Sequence, residues 1–278
     1  LFILAGSIMN TAGISRRLIA FASALVGFVK GGLAMINIAV SMFFAEISGS
    51  AVADVAALGS ILIPAMKKKG YPGPFSAAVT SSSASLAIII PPSIPMILYA
   101  VMAQSSVVQL FVAGIIPGIL GGFLMMFAAY VYARKKDLPV EEAFDFQNLK
   151  KTAKEAGLAF TLPLIILGGI FGGVVTATEG AGLAVVAALI IGFIHRELDF
   201  KSFYKAASEG ATQTAVVMLL VGASVLLGEF LTVEQIPQKV AESIIGITNN
   251  KYFVLMILNV FLLVIGLFLH SAAAIILT

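Results

Sequence analysis

The sequence contains no cysteine and only two histidines among its 278 residues. The absence of cysteine excludes disulfides, iron–sulfur clusters and thiol chemistry within this sequence. His195 and His270 could build a metal site only with many carboxylates, and Asp and Glu together number just 14. Charged residues make up 11% of the chain, against about 25% in soluble globular proteins. The composition is therefore not that of a soluble protein or a metalloenzyme.

What the chain does contain is long apolar sequence. Hydrophobic residues account for 60% of it, and the mean hydropathy is +1.06. The apolar runs are long and do not alternate with a period of two, so they predict an all-α, polytopic membrane protein rather than a β-barrel. Basic residues at 67–69 and at 134–136 predict cytoplasmic ends. The apolar runs at Leu1 and Thr278 lead us to expect a piece of a longer protein.

Two polar breaks interrupt this apolar sequence. Ser48-Gly49-Ser50 separates apolar segments 31–47 and 51–66, and each segment is too short to cross a hydrocarbon core of about 30 Å comfortably. Together they predict a re-entrant hairpin with its tip in mid-membrane. The second break lies in segment 75–102, where Pro91-Pro92 removes two backbone donors after a serine-rich stretch.

The remaining segments are assigned by their hydropathy and charge. We expect an interfacial helix before the hairpin and several spans after the second break, joined by a polar loop and an outer turn. In residue numbers these are the interfacial segments 14–29 and 234–247, the spans 107–132, 158–175, 182–194 and 211–231, the loop 137–157 with a surface helix near 148–155, the turn 176–180, and the apolar run 252–278.

An internal repeat is suggested by an offset of 222 positions. This offset pairs Asn37 with Asn259 and places Ser271 on Gly49; it also pairs Gly6 with Gly228, Ile14 with Ile236, Leu33 with Leu255 and Ala51 with Ala273. Charge around the two copies predicts opposite orientations, which is the inverted repeat of many secondary transporters. The predicted domains are a first repeat at 1–136, a cytoplasmic loop at 137–157, and an incomplete second repeat at 158–278. Asn37 and Asn259, which the offset pairs, either form hydrogen bonds between helices or line the cavity of the transporter.

Helix ends that meet in mid-membrane offer specific chemistry. Their free amides favour a carboxylate, while their carbonyls and hydroxyls suit a hard cation such as sodium. The alternative for Ser48-Gly49-Ser50 is tight helix packing through small residues. That reading is disfavoured by the Pro91-Pro92 break and the repeat.

Two alternative roles are considered for each of four ionisable residues. Asp54, one turn after the tip, either serves the site or caps a hairpin amide. Glu46 is either a cavity acid or an exposed residue near water. His270 is favoured as a hydrogen-bonding tip residue over a proton relay. Glu179 is favoured as part of the outer turn over a functional residue.

Several motifs together carry a family resemblance. They are LFILAGSIMNTAGISRRL, ISGSAVADVAALGSILIPAM, IIIPPSIPMILYAV, TATEGAGLAVVAALIIGF, FLTVEQIP and GLFLHSAAAIILT. They resemble, in order and over essentially the whole sequence, the large DctM-like membrane subunit of tripartite ATP-independent periplasmic (TRAP) transporters. The resemblance implies an elevator-type fold in the bacterial inner membrane. It also implies sodium-coupled uptake of an organic anion, often a C4-dicarboxylate or sialic acid, with a small DctQ-like membrane subunit and a periplasmic binding protein as partners.

The same resemblance implies the site residues. Ser48 and Ser50 would provide oxygens to a sodium ion, together with backbone carbonyls near Ala87, Ile89 and Pro92. The family often has Gly where Ala87 stands, and a carbonyl ligand tolerates that change. No organic cofactor and no metal other than sodium are implied.

A second, pseudo-symmetric site is implied at the second tip. Its candidate residues, together with further substrate candidates around the first site, are His270, Ser271, Ala272, Gly49, Asp54 and Ser93. The second tip departs from the common Asp-Gly-Thr pattern of the family, and Glu46 replaces a usual small residue.

Rival functions remain distinguishable. The nearest is a divalent-anion/sodium symporter or an ion antiporter that needs no binding protein. A channel would have pore-lining polar stripes instead of closed hairpins. The sequence contains neither HExxH nor GxSxG with supporting partners, which disfavours an enzyme, and the absence of a P-loop disfavours an ATP-driven pump. The prediction is therefore a transporter subunit with no catalytic activity.

Overall fold

The computed structural model describes most of the chain. The described residues are 1–11, 13–48, 51–141, 143–194, 198–236, 238–239, 242, 246, 250–267, 271 and 274–275. Within them, the side chains at 10, 15, 46–48, 52–53 and 224 are not described.

Helices account for all the regular secondary structure in the described residues, which contain no β-strand. Those whose bounds are described are, in chain order, α1 (Phe2–Thr11), α2 (Ile14–Val26), α3 (Gly32–Ser48), α4 (Ala51–Lys68), α5 (Gly73–Ala84), α6 (Leu86–Ile89), α7 (Ile94–Met102), α8 (Val107–Lys135), α9 (Phe146–Phe171), α10 (Ala177–Ile194), α11 (Phe200–Val233) and α12 (Lys251–Gly266). The predicted all-α class is confirmed.

Four of these helices, α8 to α11, are long and apolar enough to cross a membrane. The broken segment formed by α5, α6 and α7 raises the number to five within the described residues if it counts as one span. The polytopic character predicted from hydropathy is therefore confirmed.

Polar side chains cap the N-terminal ends of several helices. Ser106 accepts a hydrogen bond from the Gln109 amide at the start of α8 (3.3 Å), and Asp199 accepts one from the Ser202 amide at the start of α11 (2.7 Å). Such caps satisfy amides that a helix leaves unpaired at its first turn. Hydrogen bonds from Ser202 also lower the pKa of the Asp199 carboxyl. This cap is therefore charged, and most effective, above the carboxyl's ordinary pKa.

The loop predicted at 137–157 is partly wrong. Helix α9 begins at Phe146, where Asp145 accepts a hydrogen bond from the Gln147 amide (2.8 Å), and it continues without interruption to Phe171. The predicted surface helix and the following span are therefore one helix. Hydropathy changes near Leu158, but nothing in the sequence stops the helix there, because a single glycine at 157 is tolerated.

The outer turn predicted at 176–180 is also wrong. Helix α10 already begins at Ala177. The Thr176 amide donates to Glu179 Oε2 (2.7 Å), and the Glu179 amide donates to Thr176 Oγ1 (3.3 Å). This reciprocal pair is a capping box. Glu179 therefore has a structural role at the helix start.

Helix α3 lies at the centre of the bundle. It packs against α1, α2, α4, α5, α6 and α8, while α9 covers α2 and α10. The main core contains the fully buried side chains of Ile8, Leu18 and Phe44. Phe160 of α9 meets Phe21 and Phe43 edge to face at centroid distances of 5.4 and 5.3 Å. These packed rings hold α2 and α9 against the first arm of the hairpin.

At the end of the bundle opposite the hairpin tip, the start of the α8–α9 loop acts as a strap, which we define as residues 136–141. The Pro139 carbonyl accepts hydrogen bonds from the Gly31 amide (3.1 Å) and the Tyr71 hydroxyl (3.4 Å). Two ion pairs flank these bonds: Lys30 with Asp137, and Lys69 with Glu141 at 3.2 Å. The strap therefore joins the turns before α3 and after α4.

The two ion pairs of the strap differ in how far their carboxylates are exposed to water. Asp137 is exposed, and the hydrogen bond and charge of Lys30 lower its pKa. A carboxyl whose pKa is lower in the folded state stabilises the fold above its unfolded pKa, and the effect is lost as the pH falls through the lowered value. The Glu141 side chain is only 12% exposed. Burial raises the pKa of Tyr71 to about 12, so its hydroxyl keeps its proton and can donate to Pro139.

Replacing Lys69 by alanine is expected to destabilise the complete protein more than replacing Lys30. Lys69→Ala leaves the largely buried Glu141 carboxylate without its cation, at a cost of about 1–3 kcal/mol. Lys30→Ala exposes a carboxylate that water already solvates, so we expect little change. Thermal unfolding of both variants in detergent checks this. Equal melting temperatures for the two variants would contradict the role given to Glu141.

Candidate functional site: a hairpin tip beside a helix break

The first predicted break lies at the tip of a helical hairpin. Helix α3 ends at Ser48, α4 begins at Ala51, and the two helices pack against each other. The helical hairpin is therefore present, while its predicted re-entrant position with the tip in mid-membrane stays a prediction. Gly49 and Ser50 lie outside the described residues, as do the side chains of Glu46 and Ser48, so the ligand roles of Ser48 and Ser50 stay predictions.

The second predicted break is confirmed as well. The segment from Gly73 to Ile89 and the helix from Ile94 bend relative to each other by 41°. Between them, Ile90 and Ser93 have extended backbone angles, with ψ of 125° and 128°. The two prolines in this interval remove the amide donors that the carbonyls of residues 87 and 88 would use in a continuous helix.

Ser93 repairs part of this break. Its hydroxyl donates to the Ile88 carbonyl (2.6 Å) and accepts from the Met96 amide (3.4 Å), which caps α7. Its side chain is fully buried. Ser93, predicted as a substrate or second-site candidate, therefore has hydrogen-bond partners of its own. Pro91 lacks the amide hydrogen that would bond to the Ala87 carbonyl in a continuous helix. Among the described residues, no side chain donates a hydrogen bond to the Ala87 carbonyl in its place.

The three predicted carbonyl ligands lie in different surroundings. Ala87 and Pro92 are buried, whereas the Ile89 side chain is 37% exposed. The Ile89 carbonyl oxygen faces Gly114 of α8 so closely that a Cβ there would overlap it. Two more glycines one and two turns further along α8, Gly118 and Gly122, lie against Ile90 and Met42 in the same way. Small residues thus let α8 approach the break.

Hydrogen bonds between α3 and α5 fix the relative heights of the tip and the break. Asn37 Nδ2 donates to Thr80 Oγ1 (2.7 Å), and the hydroxyls of Ser41 and Ser83 lie 2.9 Å apart. Both numbers rise together, so the two helices run parallel. Ser48 is seven residues beyond Ser41, and Ile90 is seven beyond Ser83. The last turn of α3 therefore lies level with the break, and α3 also packs against α6.

Asp54 lies in the first turn of α4, and its side chain is fully buried. It contributes to the wall of a cavity of about 440 Å³ between α1, α3, α4 and α11. Ser7, Ser60 and Gln213 add polar groups to this wall. A carboxylate in the first turn of a helix also suits the helix dipole, so the position fits both of the roles considered for Asp54.

The second tip falls largely outside the described residues, which include neither His270 nor Ala272. Of its predicted residues the structure describes Ser271, whose side chain is partly buried. Asn259, the predicted counterpart of Asn37, is exposed and donates to its own helix at the Leu255 carbonyl (2.8 Å). Asn37 instead bonds across helices, which was one of its two predicted roles. The second ion site and the inverted repeat stay predictions.

Sequence reasoning missed the hydrogen bond of Asn37 with Thr80 and the neighbouring pair of Ser41 and Ser83. Thr80, Ser83 and Ser41 were not singled out individually. Their spacing predicts a polar face on each helix, since Asn37 and Ser41 share a face, as do Thr80 and Ser83, but it does not show that the two faces meet. The glycine face of α8 carries the same kind of signal at intervals of four residues.

Comparison with known proteins places the chain in a family. The model of the tripartite ATP-independent periplasmic transporter DctM component matches residues 1–278. The isethionate TRAP transporter permease protein DctMQ of Oleidesulfovibrio alaskensis is 42% identical over 277 residues, which are 99% of this chain and 44% of that protein. The C4-dicarboxylate TRAP transporter large permease protein DctM of Pseudomonas aeruginosa is 38% identical over 99% of this chain and 64% of its own length.

A third relative has a different named substrate. The sialic acid TRAP transporter permease protein SiaT of Haemophilus influenzae is 36% identical over 98% of this chain and 44% of its own length. The chain thus spans less than two thirds of each of these relatives. Together with its spanning helices, these matches place it in the bacterial inner membrane as a multi-pass protein. The chain belongs to the DctM family of TRAP transporter permease proteins.

Proposed function

We propose that the complete protein is the large permease subunit of a sodium-coupled TRAP transporter that takes up an organic anion. The observation that carries this proposal is the level placement of the α3 end and the proline break, which the two hydrogen-bonded pairs impose. Isethionate, C4-dicarboxylates and sialic acid, named for its relatives, are all organic anions. The solute is transported without chemical conversion.

Sodium fits the donor set that this arrangement offers. Hard cations prefer oxygen ligands, and the break frees backbone carbonyl oxygens because its prolines lack amide hydrogens. The proposed ligands are the hydroxyls of Ser48 and Ser50 with the carbonyls of Ala87, Ile89 and Pro92. Two of these carbonyls belong to buried residues, at Ala87 and Pro92, where water does not replace the ion easily.

Ion binding would prepare the site for the solute. A cation held between the tip and the break links two segments that are not covalently continuous, and it adds positive charge beside the amide end of α4. A carboxylate is favoured at such a helix start. Gly49 is proposed as a further solute contact, and His270, Ser271 and Ala272 are proposed to form the pseudo-symmetric counterpart. The solute therefore binds well only after sodium, which is the basis of coupling.

The proposed transport cycle is an elevator motion with two partners. The domain that carries the hairpin moves across the membrane relative to a scaffold, as inverted-repeat transporters do. A small DctQ-like membrane subunit supports the scaffold, and a periplasmic binding protein delivers the solute. The printed name DctMQ of one relative accords with a large and a small component.

Reconstitution of the complete protein tests the proposal. Proteoliposomes containing it and its small subunit are given the binding protein, a radiolabelled organic acid and an inward sodium gradient. We expect uptake that disappears when potassium replaces sodium and when the binding protein is omitted. Sodium-independent uptake would contradict the coupling, and uptake without the binding protein would indicate a stand-alone anion/sodium symporter instead.

A further inference from the structure

We infer that Asn37, Ser41, Thr80 and Ser83 form a polar ladder that positions the hairpin tip against the proline break and so sets sodium affinity. These are positioning residues, because they lie about one to three helical turns before the proposed ligands in the sequence and act through the helices that carry them. The inference rests on the proposed function and extends it to residues outside the ion site.

The ladder is buried and directional. All four side chains are at most 1% exposed. Thr80 Oγ1 donates its proton to the Ser76 carbonyl (2.9 Å), so it must accept the hydrogen bond from Asn37. Ser83 lies within 3.2 Å of the Thr80 carbonyl as well as 2.9 Å from Ser41. The bond from Asn37 to Thr80 therefore has a fixed direction, whereas either hydroxyl of the Ser41–Ser83 pair can donate to the other.

Asn37 also contacts the second arm of the hairpin. Its Nδ2 lies 3.7 Å from Met66 Sδ in α4, in addition to its bond with Thr80 in α5. Its Oδ1 is buried and has no hydrogen-bond partner among the described residues. A buried acceptor without a partner lowers stability. An apolar residue here would avoid that cost, so the amide is better explained by fixing three helices relative to one another than by stability alone.

Register is the property that the ladder controls. Apolar side chains would hold α3 and α5 together but would tolerate sliding along the helix axis. Hydrogen bonds between buried groups resist sliding, because a shift of one turn, about 5.4 Å, would separate both pairs where no water can replace them. The tip follows the end of α3, and the break follows α5 and the short α6. A shift of α3 along α5 therefore changes the separation of the proposed sodium ligands directly.

The test compares matched variants of the complete protein in proteoliposomes. Thr80→Val removes the hydroxyl with little change in shape, Thr80→Ser restores it, and Thr161→Val removes an exposed hydroxyl that bonds only to its own helix. We expect Thr80→Val to raise the half-saturating sodium concentration by about 3- to 15-fold, the range for lost interhelical hydrogen bonds. The Michaelis constant for the solute at saturating sodium should not change. Thr80→Ser and Thr161→Val should behave like the unaltered protein.

A milder pair keeps the test decisive if Thr80→Val does not accumulate. Ser41→Ala leaves Ser83 bonded to the Thr80 carbonyl, and Ser81→Ala removes an exposed hydroxyl of α5. The inference predicts a raised sodium requirement for Ser41→Ala alone. It is overturned if the ladder variants lose only maximal rate, with the same sodium dependence as the controls. If uptake by the unaltered protein did not depend on sodium, the proposed function would be overturned instead, and this inference with it.

Discussion

Replacing Ser48 and Ser50 together by alanine is expected to abolish sodium-dependent uptake by the complete protein while leaving its amount in the membrane unchanged. The two hydroxyls are the side-chain ligands in a proposed set of five oxygens, and the other three are backbone carbonyls. Each hydrogen-bond-strength contact with a charge contributes about 1.5–3 kcal/mol, so losing two should weaken sodium binding about hundredfold or more.

Uptake of a radiolabelled solute, measured against sodium concentration, checks this result. Ser81→Ala is the matched control, since Ser81 is exposed on α5 and its hydroxyl lies 3.2 Å from the Ala78 carbonyl of the same helix. The control should transport normally. Unchanged sodium dependence in the double alanine variant would remove the tip serines from the ion site.

Replacing Gly114 by alanine is expected to disrupt the break. The new Cβ would overlap the Ile89 carbonyl oxygen and the Met96 side chain. Met96 can change its rotamer, but the carbonyl belongs to the backbone and can yield only if the break moves. Overpacking of this kind costs about 1–3 kcal/mol. Because Ile89 is a proposed ligand, the half-saturating sodium concentration should rise as well.

Gly121→Ala is the control for this substitution. It lies on the same helix, and its new Cβ would meet only Leu86 Cδ2 at 3.4 Å, an ordinary contact. Alanine is favoured over glycine inside helices by about 0.5–1 kcal/mol, so this variant should be as stable as the unaltered protein or slightly more stable. Thermal unfolding and sodium titration of both variants test the pair. Equal behaviour of the two variants would mean that α8 does not hold the break in place.

The two breaks could be predicted because their signatures are local. Pro91 and Pro92 remove donors wherever they occur, and Ser-Gly-Ser is a poor helix former between two half-length apolar segments. The structure accordingly has a hairpin and a bent helix at these places. Contacts between residues far apart in sequence were harder to predict. Nothing local tells that Asn37 bonds to Thr80, since that contact depends on how two helices pack.

The errors have a common physical origin. Hydropathy reports the surroundings of a helix and not its ends, which is why α9 extends 12 residues before Leu158, the predicted start of its span. Helix ends depend on caps, and the Thr176–Glu179 pair places the start of α10 inside what composition suggested was a turn. The three-residue spacing from Thr176 to Glu179 is the capping-box pattern and could have corrected this prediction.

The hairpin tip and the proline break are proposed to bind one sodium ion together. Equilibrium binding of radioactive sodium to the purified complete protein, without solute or gradient, tests it most directly. Comparing the unaltered protein with the Ser48→Ala/Ser50→Ala variant removes any contribution from the second tip. We expect the variant to bind one sodium ion fewer per protein at the same free sodium concentration. The same number of bound ions in both proteins would contradict it.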